Sequence, residues 1–402
     1  MDRSQKGLDV VGRMRLSLPI LAVVGVIAVA FAACGSGANP SSSSSSGSSG
    51  ASVPSASGPQ SELAAAVAAA KGQTLSVVGH PGPQYDDIIA AFQKTYPDIQ
   101  VQYNGDRPST FTPKMLTEQK NGVFSWDIWW DATSQMNTVA LPAGAVQDLA
   151  PFLVLPDVKD PKNWRGGKIL YTSEKNPAIF VYSLNAPGGP YVNRDLLPKD
   201  LFPAGQPLNL DQLLDPRLKG KILFRTPSTP EGGALFLTGV LKAKGPDFVK
   251  KLLVDQQPIF EENAQLIAQQ LIQGKAPIEI GGDQPTLTDC QVQGGCKNIQ
   301  EVPQQSYALS NGVAVFKSAP HAAAAKVFVN WTLSKVGQQA FVDSYVKNKA
   351  AGANSDRVDV EPKDPVHTVD FNQLDKWSLQ GTDAGNDDMA NVLALYKQIS
   401  SK

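Results

Sequence analysis

His80, His321 and His367 are the only imidazoles in the 402-residue chain, and it contains neither an H-E-x-x-H nor a G-x-S-x-G pattern. General acid–base or zinc-assisted hydrolysis has little to build on here, so a hydrolase using an unpaired Ser183 or Asp283 stands only as the rival class. Binding chemistry is better supplied. The apolar Ile222-Leu223-Phe224 is followed by Arg225-Thr226-Pro227-Ser228-Thr229-Pro230-Glu231-Gly232-Gly233 and then by an apolar helical run from about Ala234. A helix entrance offers N–H groups and the positive end of a dipole to an anion. There the hydroxyls of Thr226, Ser228 and Thr229 either add hydrogen bonds to phosphate or carboxylate oxygens or simply cap the helix. Arg107 has the planar fork that matches such oxygens, although arginines are most often plain surface residues. Asp131, after Trp129-Trp130, can meet a ligand amine or cap the next helix, and Trp130 can offer a stacking face to a sugar or cation. His80 sits in a turn, either as a contact to iron or phosphate or as an exposed loop residue.

These groups need elements to hold them. Leu75-Ser76-Val77-Val78 reads as a strand, Gly79-His80-Pro81-Gly82 as a turn, and Tyr85, Ile88, Phe92 and Tyr96 as one face of a helix. Ile99, Val101 and Tyr103 then alternate with polar residues, and a further helix leads to Ile128-Trp129-Trp130. The order is β-α-β-α-β, and in open α/β sheets ligands sit outside the carboxyl ends of the strands. Loops 79–82, 104–110 and 130–134 are therefore the candidates on this side.

The N-terminus carries Arg3, Lys6, Arg13 and Arg15 before the uncharged apolar stretch from Leu16 to Ala33. That is the order of an export signal, expected over 1–33, and Phe31-Ala32-Ala33-Cys34-Gly35 resembles a lipobox in which Cys34 is lipidated. An uncleaved membrane anchor is the alternative. Either way the body lies outside the cytoplasm. Residues 34–59, nearly all Ser, Gly, Ala and Pro, form a flexible tether. With Cys34 spent on lipid, Cys290 and Cys296 remain as an even pair in an oxidising compartment and are expected to form a disulfide. Without the first 33 residues the chain keeps 32 Lys/Arg against 35 Asp/Glu, so no basic surface points to nucleic acid. The remaining ~340 residues exceed what one hydrophobic core usually supports, and two lobes follow.

Four segments carry a family resemblance: Ile89 to Ile99 (IAAFQKTYPDI), Leu213 to Ile222 (LLDPRLKGKI), Gly312-Val313-Ala314-Val315 through Pro320-His321, and Ala324, Lys326, Phe328 and Trp331 with Ser334 to Gln338. In order and spacing, over residues 72–350, they resemble the type II periplasmic solute-binding proteins of ABC importers, particularly the branch with ferric-iron-binding proteins. The resemblance implies an α/β fold of two lobes, each a mixed sheet flanked by helices, with the ligand cleft between them. Lobe 1 would comprise 60–181 and 311–352, and lobe 2 would comprise 182–310 and 353–402. Crossings are implied near Val181–Asn185, which brings Tyr182 to the cleft, and near Ala308–Gly312. It also implies that the strand ending at Gly281-Gly282-Asp283 points Asp283 and Gln284 toward the ligand. Iron-binding members place adjacent tyrosines there, and this chain has Gln284-Pro285. The expected protein is therefore a monomeric, lipid-anchored receptor without a cofactor and not an enzyme. It would sit on the outer face of the cytoplasmic membrane and hand a small polar, anionic organic solute to a permease and ATPase, with ferric iron, a sugar or a polyamine as alternative cargo.

Overall fold

The computed structural model describes residues 58–401 apart from Gly188 and Gln305; the export segment, Cys34 and nearly all of the tether lie outside them. The first lobe opens with α1 (Pro59–Ala70), β1 (Thr74–Gly79), α2 (Pro83–Thr95), β2 (Gln100–Gly105), α3 (Pro108–Lys120) and β3 (Ile128–Ala132). A short α4 (Pro156–Lys159) and β4 (Leu170–Tyr171) lead to β5 (Ile179–Asn185), which carries the chain out of this lobe. The second lobe holds β6 (Tyr191–Asn193), β7 (Ile222–Arg225), α5 (Gly233–Lys244), α6 (Pro246–Lys250), β8 (Ile259–Glu261), α7 (Ala264–Ile272), β9 (Ile278–Ile280), α8 (Gln284–Val292) and β10 (Ile299–Glu301). The return strand β11 (Tyr307–Val315) precedes α9 (Ala322–Leu333), α10 (Lys335–Lys347), β12 (Ser378–Leu379) and α11 (Asp383–Ser400).

Two mixed sheets result, ordered β2-β1-β3-β11-β5-β4 with β12 beside β11, and β10-β6-β9-β7-β8. The β-α-β-α-β order read from the sequence is present, with β1 parallel to both β2 and β3. Pro83 opens α2 at a position where its missing N–H is harmless, and Tyr85, Ile88, Ile89 and Phe92 recur on the buried face. β3 is central and covered on both sides, so its alternating side chains all enter cores. Trp129 joins Phe111 and Phe316 on one face, and Trp130 joins Tyr85, Tyr182 and Phe328 on the other. The two crossings are β5 and β11, which pair antiparallel.

The C-terminal stretch departs from the expected boundary. Residues from 353 do not pass to the second lobe but first return along β5: Asp356 N–H donates to the Tyr182 carbonyl, the Ser183 hydroxyl donates to the Asn354 carbonyl, and Leu184 N–H donates to Asp356 Oδ1. Arg357, 2% exposed, fixes this course by pairing with Asp157 and Asp359 and lying 5.6 Å over the Trp164 ring. The helix of this stretch, α11, lies on the second lobe, where Val392 joins its core and Lys242 pairs with Asp388 at 3.5 Å. Its first turn stays tied to the first lobe, since Asp383 N–H donates to the Thr172 carbonyl at 2.9 Å and the Asn137 amide donates to Asp383 Oδ1 at 3.1 Å.

His367 makes another tie between the lobes. Its Nδ1 lies 2.8 Å from Asp364 and its Nε2 lies 3.2 Å from Glu301 on β10. Burial opposes its charge, but the two carboxylates outweigh burial and push its pKa up to about 10. Cys290 and Cys296 form the expected disulfide, with Cα atoms 5.8 Å apart, closing the loop between α8 and β10. Among the described residues no helix is long and apolar enough to cross a membrane.

Candidate functional site

The carboxyl ends of β7 and β9 in the second lobe meet beside the first turn of α5. Three glycines make this possible. A Cβ on Gly281, whose φ is +83°, would stand 2.6 Å from the Gly233 nitrogen, and one on Gly233 would stand 2.0 Å from the Arg225 carbonyl oxygen. Gly232, with φ +43°, lies against the Arg225 side chain. The backbones therefore converge around a cavity of about 250 Å³ lined by Arg225, Gly232, Leu235, Tyr191, Glu279 and Gln284, among others. Among the described residues no side chain caps the entrance of α5. Its N–H groups and dipole, with the guanidinium of Arg225, give this cavity a positive wall.

Arg225 is held by Glu231 at 2.6 Å, but the arginine is only 25% exposed while the glutamate is 64% exposed. A solute anion can displace so loosely held a partner at little loss. On the cavity wall, Glu279 is buried and accepts a 2.6 Å hydrogen bond from Gly282 N–H. Burial pushes its pKa up to about 8, an effect that this hydrogen bond only partly offsets, so it is mainly protonated at neutral pH and does not oppose an anion.

The first lobe contributes a different group of residues. His80, on the turn after β1, lies 3.8 Å from Asp131 at the end of β3. Burial, and then the nearby charge of Arg107, lower the His80 pKa, so the ring is neutral at physiological pH. Asp131 is 3% exposed; its Oδ1 accepts from Ala132 N–H at 2.6 Å, and its Oδ2 has no partner among the described residues. Burial raises its pKa to about 7. It caps no helix. Tyr103 fixes the turn from below by donating its hydroxyl to the His80 carbonyl at 2.6 Å.

The residues expected at the site thus divide into three sets. His80, Arg107 and Asp131 converge at the ends of the first sheet. Gln284 lines the second-lobe cavity, and Thr226, Ser228 and Thr229 lie on the loop at its edge, the last two exposed. Asp283 is turned to a structural task, accepting from Thr286 N–H and hydroxyl at 3.1 and 2.6 Å as the cap of α8. Trp130 and Tyr182 do not reach the cleft: at 0% and 1% exposed they are core residues, because both lie on strands covered on each face. Arg225, Tyr191 and Glu279 were not expected. Arg225 had a sequence signal, being the last residue of the strand that feeds the helix entrance.

A second cavity of about 340 Å³ lies beside the first, between the lobes and beneath α11, and Leu235 lines both.

Residues 87–348 match the model of the bacterial extracellular solute-binding protein family. The fold is similar to the periplasmic binding protein AfuA from Actinobacillus pleuropneumoniae with fructose-6-phosphate bound (TM-score 0.54, 18% identity, 81% of this chain and 98% of that one). Iron-bound HitA from Pseudomonas aeruginosa is similar too (TM-score 0.54, 19% identity, 81% and 99% covered). So is ferric iron-binding protein A of Mannheimia haemolytica in an open conformation (TM-score 0.59, 13% identity, 82% and 98% covered). No curated protein matches the chain.

Proposed function

This chain belongs to the bacterial extracellular solute-binding proteins, a family of transport receptors and not of enzymes, and from that premise we propose that its cargo is a small organic anion. The carrying observation is the cavity lined by Arg225 together with Gly232 and Leu235 from the entrance of α5. An anion withdrawn from water needs donors, and an arginine beside the first turn of a helix supplies them. The similarity in fold to a protein holding a sugar phosphate supports the same reading. Cys34 after small residues supports a lipid anchor, from which a monomeric receptor would deliver its solute to a permease and ATPase.

Ferric iron is the second reading, favoured by the fold similarity to iron-bound HitA and by His80 standing 3.8 Å from Asp131. Against it, Gln284-Pro285 supplies no phenolate oxygen after β9, and Fe(III) prefers hard anionic ligands. A thermal-shift panel of phosphates, carboxylates, neutral sugars, polyamines and ferric citrate separates the two. Stabilisation by phosphates or carboxylates is expected. Stabilisation by ferric ion or neutral sugars alone would leave the family assignment standing and remove the anion.

A further inference from the structure

We propose that the cavity beneath α11 is a second, uncharged compartment of the solute site, taking the neutral hydroxylated body of a molecule whose anionic group is held at Arg225. The proposal rests on the anion reading above and adds the chemistry of the rest of the solute. The cavity is walled by Gln135 of the first lobe, Leu235 of α5, Tyr307 of β11, and Gln380, Asn386 and Met389 of the C-terminal stretch. Leu235 also lines the Arg225 cavity, so the two spaces are neighbours at this side chain.

Tyr307 is the independent pointer. It is 1% exposed, it lines this cavity, and among the described residues its hydroxyl has no hydrogen-bond partner. A buried hydroxyl left unpaired is destabilising, so a partner arriving with the solute would remove a standing penalty. The other walls say what that partner is. Among the described residues that line the cavity none is charged, so an ionic group entering it would lose its hydration with no counter-charge in return. Side-chain amides and a phenol both donate and accept, as hydroxyl groups do. Leu235 and Met389 add an apolar surface suited to the C–H face of a polyol or sugar ring. Gln380, Asn386 and Met389 lie beyond residue 348, where the family match ends, so this wall is not built from the shared segment.

Two matched pairs of probes test this by isothermal titration: inorganic phosphate against glucose 6-phosphate, and acetate against gluconate, with glucose as the neutral control. In the wild type at least one polyhydroxylated anion should bind ~10-fold or more tightly than its small counterpart. The Tyr307→Phe/Asn386→Ala double variant should shrink that advantage to about threefold or less and leave the small anion's affinity unchanged. Tyr307→Phe alone removes one oxygen atom, and the melting temperature of each empty variant confirms that it folds. Equal binding within both pairs, or an advantage that survives the double variant, overturns the compartment while the anion reading stands. Glucose binding that is lost in the variant, with every anion silent, supports the compartment and removes the anion reading; silence of all five probes overturns both.

Discussion

Replacing Arg225 by Gln should separate binding from stability. The arginine's only ion-pair partner among the described residues is Glu231, whose carboxylate is 64% exposed, so breaking that pair should lower stability by no more than about 1 kcal/mol. The effect on an anion is different, because Arg225 is only 25% exposed and lines a cavity of about 250 Å³. A charge-assisted hydrogen bond there contributes about 1.5–3 kcal/mol, so Arg225→Gln should weaken binding roughly 10- to 150-fold. Glu231→Gln should act in the opposite direction. It removes the competitor for the same guanidinium, and a surface pair contributing up to about 1 kcal/mol translates into a gain of at most about fivefold. Ser228→Ala/Thr229→Ala is the control, since both hydroxyls are exposed on the loop outside the cavity wall, and it should change affinity less than about twofold. Titration calorimetry with the anions that stabilise the wild type, alongside thermal denaturation of the empty proteins, reads all three. Unchanged affinity in Arg225→Gln, or a loss in Glu231→Gln as large as in Arg225→Gln, would refute the reasoning.

Stability should fall as pH rises from about 4 to 8, because Asp131, Glu279 and Asp356 have folded pKa values raised by burial to about 7, 8 and 7. A raised carboxyl pKa means that the folded state holds its proton more tightly than the unfolded chain, so its contribution is complete below the unfolded value and is lost through the folded one. Glu279→Gln keeps an oxygen for Gly282 N–H, and it should raise the melting temperature at pH 8–9 with little change at pH 5; equal shifts at both pH values would contradict this. Reduction of Cys290–Cys296, which closes a sequence separation of 6, should lower stability by about 2 kcal/mol in denaturant titrations, and no change in midpoint would count against it. Cys34→Ala should leave the protein unprocessed or released, and recovery of unmodified Cys34 in the membrane-bound native protein would argue for an uncleaved anchor.

The first half of the first lobe was legible because its strands and helices bury one face at their own periods, as in α2 with Tyr85, Ile88, Ile89 and Phe92. The two crossings were legible only through the family resemblance. Trp130 and Tyr182 misled because a polar-tipped aromatic looks the same whether its strand borders a cleft or lies at the centre of a covered sheet. The course of residues 353–376 depends on Arg357 meeting Asp157 and Trp164 from far along the chain, and no local pattern encodes such a meeting. Hydroxyls drew notice at the α5 entrance because their type suggests donors. The residue that turns inward is Arg225, placed by strand register and by the small size of Gly232.

The C-terminal helix begins on one lobe and lies along the other, and this bears on how fast and how tightly the receptor can load. To open widely, the lobes would have to pull the first turn of α11 away from Thr172 and Asn137, or lift its body from the second-lobe core. His367, charged between Asp364 and Glu301, resists the same motion. The empty receptor should therefore spend most of its time close to the arrangement described here, with α11 joined to both lobes. Apparent affinity falls by the fraction of molecules in the competent shape, so a receptor already in that shape gives up little of its intrinsic affinity to reorganisation. The converse concerns release: a permease that empties this receptor must supply the work of parting α11 from one of its two supports.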